Sequence, residues 1–360
     1  MEDFRTFRTA RFAPAVPMSP ILDQTAWEPQ SLADVGAWSY VLGDSERAQL
    51  IAATAAARKA GVKLEDVTRQ NFVLGSFASL LEDVRQELMH GRGIVMLRSF
   101  PVDELDREGQ AMAYLGLGAY LGRRLSQNRD GHLLGHVKDL GGDYSNPNVR
   151  GYMTRAEMRF HSDSCDYVGL LCLRTSKSGG ESMVTSSVTV YNRMLERRPD
   201  LVEVLTQDLF RSRMGEIGPG EQPWYTLPIF CFEQGRFYSV GGGIRLDHAQ
   251  TLPGVPKYTS AQKEALDLYR DTVRECAADI PFLPGDVQFL NNYYTMHTRR
   301  AYEDWPEPEL KRHLLRLWLS DPESQPKGLV EDSFRRGILP NPGVQLHAPL
   351  DMHDSISLAH

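Results

Sequence analysis

Near Leu121 the chain changes its pattern. Before it, apolar residues recur at spacings of three and four; after it they fall into short runs rich in β-branched and aromatic residues, separated by turns containing Gly, Pro and Asn. A chain that spends most of its length this way builds its core from sheet. The expected class is therefore α+β with a mainly β core, carrying a helical N-terminal extension and helical insertions.

The helical part opens at Asp44-Ser45-Glu46, an N-cap region before an Ala-rich run to Lys59, with Gly61 placed to end it. A second helix is expected over 78–90, where Leu80, Leu81, Val84 and Leu88 share a face, and a third over about 104–121. Gly93 to Arg98 reads as a strand between them. Further on, 168–174, 182–187 and 287–290 read as strands, and 229–233 and 236–240 as a hairpin about Gln234-Gly235. Helices are expected over about 190–205, with a break before Pro199, and from the capping pattern Thr259-x-x-Gln262 to about Cys276. The last apolar segment is 310–319. These boundaries give an irregular arm over 1–43, one domain over 44–320 and an extended tail over 321–360.

Composition limits the partners. Lys and Arg number 40 against 47 Asp and Glu, a net charge of −7, which offers no broad basic footprint for nucleic acid or an anionic membrane. No apolar run is long enough to span a bilayer, and the first residues lack the continuous apolar stretch of a secretory signal. Cys165, Cys172, Cys231 and Cys276 form no C-x-x-C pair, which suits reduced thiols. The expectation is a cytoplasmic protein acting on a small molecule, without nucleic-acid or membrane partners, as a homo-oligomer.

Of ten histidines, His161 alone is followed two places later by a carboxylate, Asp163. In a strand, residues i and i+2 share a face, so an imidazole and a carboxylate would converge. About one such pair is expected by chance among 47 acidic residues, so a third ligand is required. His297, just beyond a strand and behind Asn291-Asn292-Tyr293-Tyr294, stands in a polar stretch that would need partners if buried. Two His and one carboxylate suit a non-haem iron that activates oxygen, or a zinc ion with a bound water. Ligand types alone leave both open.

Arg312 and Arg316 fall on one face whether their segment is strand or helix, and an inward-facing pair needs anions. Ser182, after Gly179-Gly180-Glu181, adds a hydroxyl at the start of a strand. Cys165 lies near the triad but has no visible base, so a catalytic thiol is not expected.

Taken in order, these pieces resemble the taurine dioxygenase-like group of Fe(II)/2-oxoglutarate-dependent oxygenases, relatives also of clavaminate synthase. The pieces are 93–100, Arg159-Phe160-His161-Ser162-Asp163, Gly179-Gly180-Glu181-Ser182, 282–292, His297-Thr298-Arg299 and 312–318. The resemblance covers about 90–320. It implies a double-stranded β-helix, or jelly roll, with helices outside, and a facial triad of His161, Asp163 and His297 on Fe(II). Arg312 matches the arginine that binds the distal carboxylate of 2-oxoglutarate. Ser182 matches the Thr beside it, keeping the hydroxyl and losing a methyl. Arg316 matches a position facing the substrate's anionic group, and could instead serve the cosubstrate.

The implied reaction consumes O2 and 2-oxoglutarate, releases succinate and CO2, and most simply hydroxylates a small anionic or amino-acid-like molecule. Desaturation, cyclisation and epoxidation are the alternative outcomes, and a zinc-type hydrolase is the alternative class. The retained Asp163 argues against halogenation, since related halogenases lack that carboxylate. The segment Gln127-Asn128-Arg129, the loop Tyr144 to Tyr152, and Phe160, Asn292 and Arg316 are candidate substrate contacts because they precede or flank the metal pieces, and Tyr144-Ser145-Asn146-Pro147 has the turn chemistry of a mobile lid.

Overall fold

The computed structural model describes residues 14–142, 151–218, 220–321 and 336–351. Seven strands form the larger sheet, in the order Ser39–Val41, Ile94–Arg98, Val287–Asn291, Tyr167–Arg174, His313–Ser320 and Arg123–Arg124, with Gly135–Val137 also paired to His313–Ser320. The pairing is antiparallel except for Ser39–Val41 beside Ile94–Arg98. A smaller sheet sets Ser182–Ser186 between Ala277–Ile280 and Thr295–Arg299, both antiparallel to it.

The central strands are apolar on both faces, which is why they read as continuous apolar runs. Val95, Leu97, Val287, Phe289, Leu317 and Leu319 pack under the helices Phe77–His90 and Arg107–Leu121. Their alternates Ile94, Met96, Val168, Leu290 and Trp318 face Val184 and Ile280 of the smaller sheet. Gly116 and Gly118 let the helix Arg107–Leu121 settle close: an added Cβ would stand 2.3 Å from Phe72 and 2.6 Å from Leu317. A second apolar cluster joins Ser187–Arg197, Pro199–Leu205 and Ser260–Glu275 to the hairpin Phe230–Glu233/Arg236–Ser239. No helix among the described residues is long and apolar enough to cross a membrane.

Local signals account for most element ends. Glu46 accepts from Gly43 N–H at the start of Asp44–Lys59, and the Thr259/Gln262 capping box opens Ser260–Glu275. The helix expected from about 104 begins at Arg107, because Asp106 accepts from Gly109 N–H and so becomes the N-cap. The break at Pro199 is present, between Arg197 and Pro199.

Three expectations need correction. The arm over 1–43 is not irregular throughout: Ser39–Val41 is an edge strand, and Trp27, Leu32 and Trp38 are buried beneath it, with Trp38 Nε1–H donating to Leu32 O at 3.1 Å. His297 follows the strand Val287–Asn291 as expected, but it lies inside a further strand, Thr295–Arg299, that was not expected. In the tail, 336–351 is fastened along 126–136: Ile338 N–H donates to Ser126 O, Asn341 N–H to Arg129 O and Leu133 N–H to His347 O. The lid reading at Tyr144 to Pro147, the first 13 residues of the arm, and 322–335 and 352–360 of the tail lie outside the described residues.

Candidate metal centre

His161 and His297 face each other across an isolated antiparallel bridge, which continues the smaller sheet by one residue pair. The ladder therefore sets the spacing of the two imidazoles, whose centroids stand 4.5 Å apart. His161 Nδ1–H donates to Arg159 O at 2.9 Å, which leaves Nε2 as the lone-pair nitrogen. That atom lies 3.9 Å from Asp163 Oδ1, and His297 Nε2 lies 3.7 Å from Asp163 Oδ2. One ligand atom from each of the three falls within 4.8 Å of the others, a separation that one ion could bridge.

Asp163 reaches this point from a loop rather than from a strand, so the i, i+2 rule was not what brought it beside His161. Asn292 pins the loop: its Oδ1 accepts from Asp163 N–H at 3.0 Å, and its Nδ2–H donates to Cys165 O at 3.1 Å. Burial alone would raise the Asp163 carboxyl, but Arg316, His297 and His161 together hold it below its ordinary value. Arg316 Nη1 is 3.8 Å from Asp163 Oδ1. Arg316 is itself held, its Nε–H donating to Gln127 Oε1 at 2.8 Å while its guanidinium lies 4.8 Å from the centre of the Trp318 ring. Burial, with His161 close by, depresses His297 to about 3. The cluster thus brings together two imidazoles and one ionised carboxylate, the donor set a divalent transition metal takes.

Arg299 and Arg312 form a second buried cationic group. Arg312 precedes the strand His313–Ser320, where the register shifts between His313 and Leu314. Its Nη1 is buried and has no hydrogen-bond partner among the described residues. Gly180 crowds it: the left-handed φ of +78° admits only glycine comfortably, and a Cβ there would stand 3.3 Å from Arg312 Nε. Two residues on, Ser182 is buried in register with Arg299. Arg299 and Arg312 flank Tyr302, 4.5 and 5.3 Å from its ring centre. Burial, and then Arg312, lower Arg299 to about 10.

A cavity of about 140 Å³ opens over His161 and Asp163, lined also by Met158, Arg211, Arg245 and Arg316. Three predicted substrate contacts are not on its walls. Asn128 folds its own turn, its Oδ1 accepting from Asp130 and His132 N–H. Phe160 packs towards the helix Ser260–Glu275, and Asn292 is fully buried behind Asp163. Arg316 is there. Cys165 is buried against Asn292, with its Sγ 3.2 Å from Nδ2.

Gln127, expected with its neighbours as a substrate contact, lies on the cavity wall. The sequence reading missed Arg211 and Arg245, which carry no local signal. Arg211 is fully buried and donates only to the carbonyls of Leu227, Pro228, Val240 and Gly241.

The profile of the taurine catabolism dioxygenase TauD, TfdA family matches residues 58–318. FR-33289 synthase of Streptomyces rubellomurinus (strain ATCC 31215) is 31% identical over 310 residues, 84% of this chain and 90% of that one. The taurine hydroxylase-like protein SAT17 of Stachybotrys chartarum (strain CBS 109288 / IBT 7711) is 26% identical over 326 residues, 86% and 83% of the two chains. Among solved structures, asparagine oxygenase in complex with Fe(II), 2S,3S-3-hydroxyasparagine and succinate superposes with a TM-score of 0.62 at 19% identity, covering 79% of this chain and 93% of that one. At that identity the likeness speaks for the fold.

Proposed function

This chain belongs to the taurine catabolism dioxygenase TauD, TfdA family and is an Fe(II)/2-oxoglutarate-dependent oxygenase; from that premise we propose that His161, Asp163 and His297 hold the iron and that the reaction is hydroxylation of a small anionic or amino-acid-like molecule. The observation that carries the ligand assignment is the convergence of two imidazoles and one buried carboxylate within 4.8 Å. The family assignment removes the ground for a zinc hydrolase on the same ligands. We further read the two sheets, which pack face to face through Val184 and Ile280 against Ile94, Met96, Val168, Leu290 and Trp318, as the faces of a double-stranded β-helix, a reading supported by their antiparallel registers.

Iron with 2-oxoglutarate supplies the oxidising chemistry from O2. The chain's part is placement. The Arg159 carbonyl orients His161, Asn292 holds the Asp163 loop, and Gln127 fixes Arg316 so that its charge keeps Asp163 ionised. Arg312, with a buried Nη1 awaiting an acceptor, and the Ser182 hydroxyl would receive the distal carboxylate of 2-oxoglutarate.

The substrate reading rests on charge. Arg211, Arg245 and Arg316 line the cavity over the triad, and Arg211 has no carboxylate partner among the described residues. A buried guanidinium without a counter-ion favours an anionic group nearby. The relative solved with 3-hydroxyasparagine supports the amino-acid-like alternative.

The test adds Fe(II) and then 2-oxoglutarate, without oxygen, to metal-free full chain. A weak visible charge-transfer band that is lost in His297→Ala is expected. No band, together with tight zinc binding, would overturn the assignment.

A further inference from the structure

A second, larger cavity adjoins the first. It measures about 470 Å³ against about 140 Å³, and Ser164, Arg245 and Ile338 line both, so the two are neighbours across one wall. The inner space falls below the roughly 300 Å³ at which small-molecule sites usually begin, whereas the two together lie inside the usual range. One side of the outer cavity is the strap 336–342, tied down where Gly337 N–H donates to Ser164 O and Arg129 Nε–H to Asn341 Oδ1.

The outer cavity is cationic. Arg129, Arg213, Arg245 and Arg336 line it against two carboxylates, Glu216 and Glu221. Glu216 pairs with Arg245 at 2.7 Å. Glu221 is shared, 2.7 Å from Arg336 and 3.4 Å from Arg213. Arg129 donates to the Gly215 and Ile217 carbonyls and to Asn341, and makes no ion pair among the described residues. Two guanidiniums on one carboxylate and one on none leave an excess of positive charge facing the cavity. The carbonyls and carboxylates hold these forks in place, so little side-chain entropy is lost when an oxyanion arrives.

We propose that this outer cavity is a second substrate subsite, which takes an oxyanion group of the phosphoryl, sulfonyl or carboxylate kind, so that the substrate carries its oxidised carbon in the inner cavity and this group beyond Arg245. The proposal rests on the inner cavity being the oxidation site. It makes Arg213 and Arg336 specificity-determining residues, distinct from Arg316, whose guanidinium is engaged with Gln127 and Asp163.

Inorganic phosphate is the probe, titrated calorimetrically into full-length protein at fixed ionic strength. Saturable one-site binding is expected. Arg213→Gln and Arg336→Gln should each weaken it about tenfold, the scale of one charge-assisted contact. Arg336 sits on an exposed stretch of the strap, so its loss leaves the fold standing. Glu221→Gln should tighten binding, because it frees two guanidiniums from a competing carboxylate; a merely structural glutamate would give no tightening. Absence of saturable binding, parental affinity in both arginine variants, or weaker binding in Glu221→Gln overturns the proposal. The visible band of the wild-type iron and 2-oxoglutarate complex keeps the two readings apart. A band without phosphate binding removes the subsite alone, and phosphate binding without a band removes the oxygenase assignment of the triad alone.

Discussion

His161 and His297 exchange both backbone hydrogen bonds, each N–H donating to the other's carbonyl at 3.0 Å. Two of the three proposed ligands are therefore spaced by the sheet itself. The third is not, since Asp163 comes from a loop whose position depends on Asn292, a residue that is fully buried and makes no contact with the cavity.

Asn292→Ala should therefore weaken metal binding by about 10–100-fold, the usual cost of losing an outer partner of a metal ligand. Titration of the apo protein with Fe(II) or Co(II), alongside a thermal melt, measures it. Unchanged metal affinity would show that the Asp163 loop holds its position without Asn292.

Asp163→Ala should reduce succinate formation from 2-oxoglutarate to background while circular dichroism stays that of the parent. The substitution removes a ligand and also leaves Arg316 without the carboxylate it faces at 3.8 Å. Asp163→Asn separates the two effects, because it keeps the shape and loses the charge. Retained turnover in both variants would sink the triad.

Arg312 buries a charged donor, Nη1, without an acceptor, an arrangement that costs stability in the absence of a ligand. Arg312→Met should abolish 2-oxoglutarate binding, and its melting temperature without 2-oxoglutarate should match or exceed the parent's. Arg312→Lys should bind about tenfold more weakly than the parent, since a single ammonium cannot give the two parallel contacts of a guanidinium. A lower melting temperature combined with unchanged 2-oxoglutarate affinity would assign Arg312 to the fold and move the anchor to Arg299.

The sequence carried the three candidate ligands that the fold brings within 4.8 Å, and most helix ends, where local chemistry such as a cap or a proline decides. It did not carry what depends on distant pairing. Thr295-Met296-His297-Thr298-Arg299 has no apolar alternation, yet it is a strand because Ser182–Ser186 offers it a complete ladder. Ser39–Val41 is too short to announce itself and is a strand only beside Ile94–Arg98. Arg211 and Arg245 look like any surface arginine in the sequence; they become cavity residues when the segment 209–245 folds over the triad and supplies carbonyls to Arg211. Asn128 stands off the cavity wall for the opposite reason, since its polar side chain is engaged by its own turn.

The last prediction concerns acid stability and a relay that ties the C-terminal strap to the strand after Arg312. His136 Nε2–H donates to Pro349 O at 2.8 Å, its Nδ1 accepts from His313 Nε2–H at 2.8 Å, and His313 Nδ1 accepts from Arg174 Nη2–H at 3.3 Å. Every nitrogen is used with both rings neutral, so a further proton would have to displace one of these contacts. Burial, with His136 and Arg174 adding to it, lowers His313 to about 2; burial also lowers His136, where Arg107 and Lys138 act in the same direction and the Pro349 carbonyl and Asp351 oppose them. In the unfolded chain both titrate near 6.5. Above that value neither state binds the proton and the stability contribution is complete. As pH falls below it the unfolded chain takes up protons that the folded chain refuses, and stability drops by about 1 kcal/mol per pH unit for His313, with His136 acting in the same direction. Denaturant midpoints between pH 7.5 and 5 should fall with a slope that the double variant His136→Gln/His313→Gln makes shallower by at least the His313 share, whatever its absolute stability. Identical slopes in the two proteins would mean that the relay accepts a proton in the folded state.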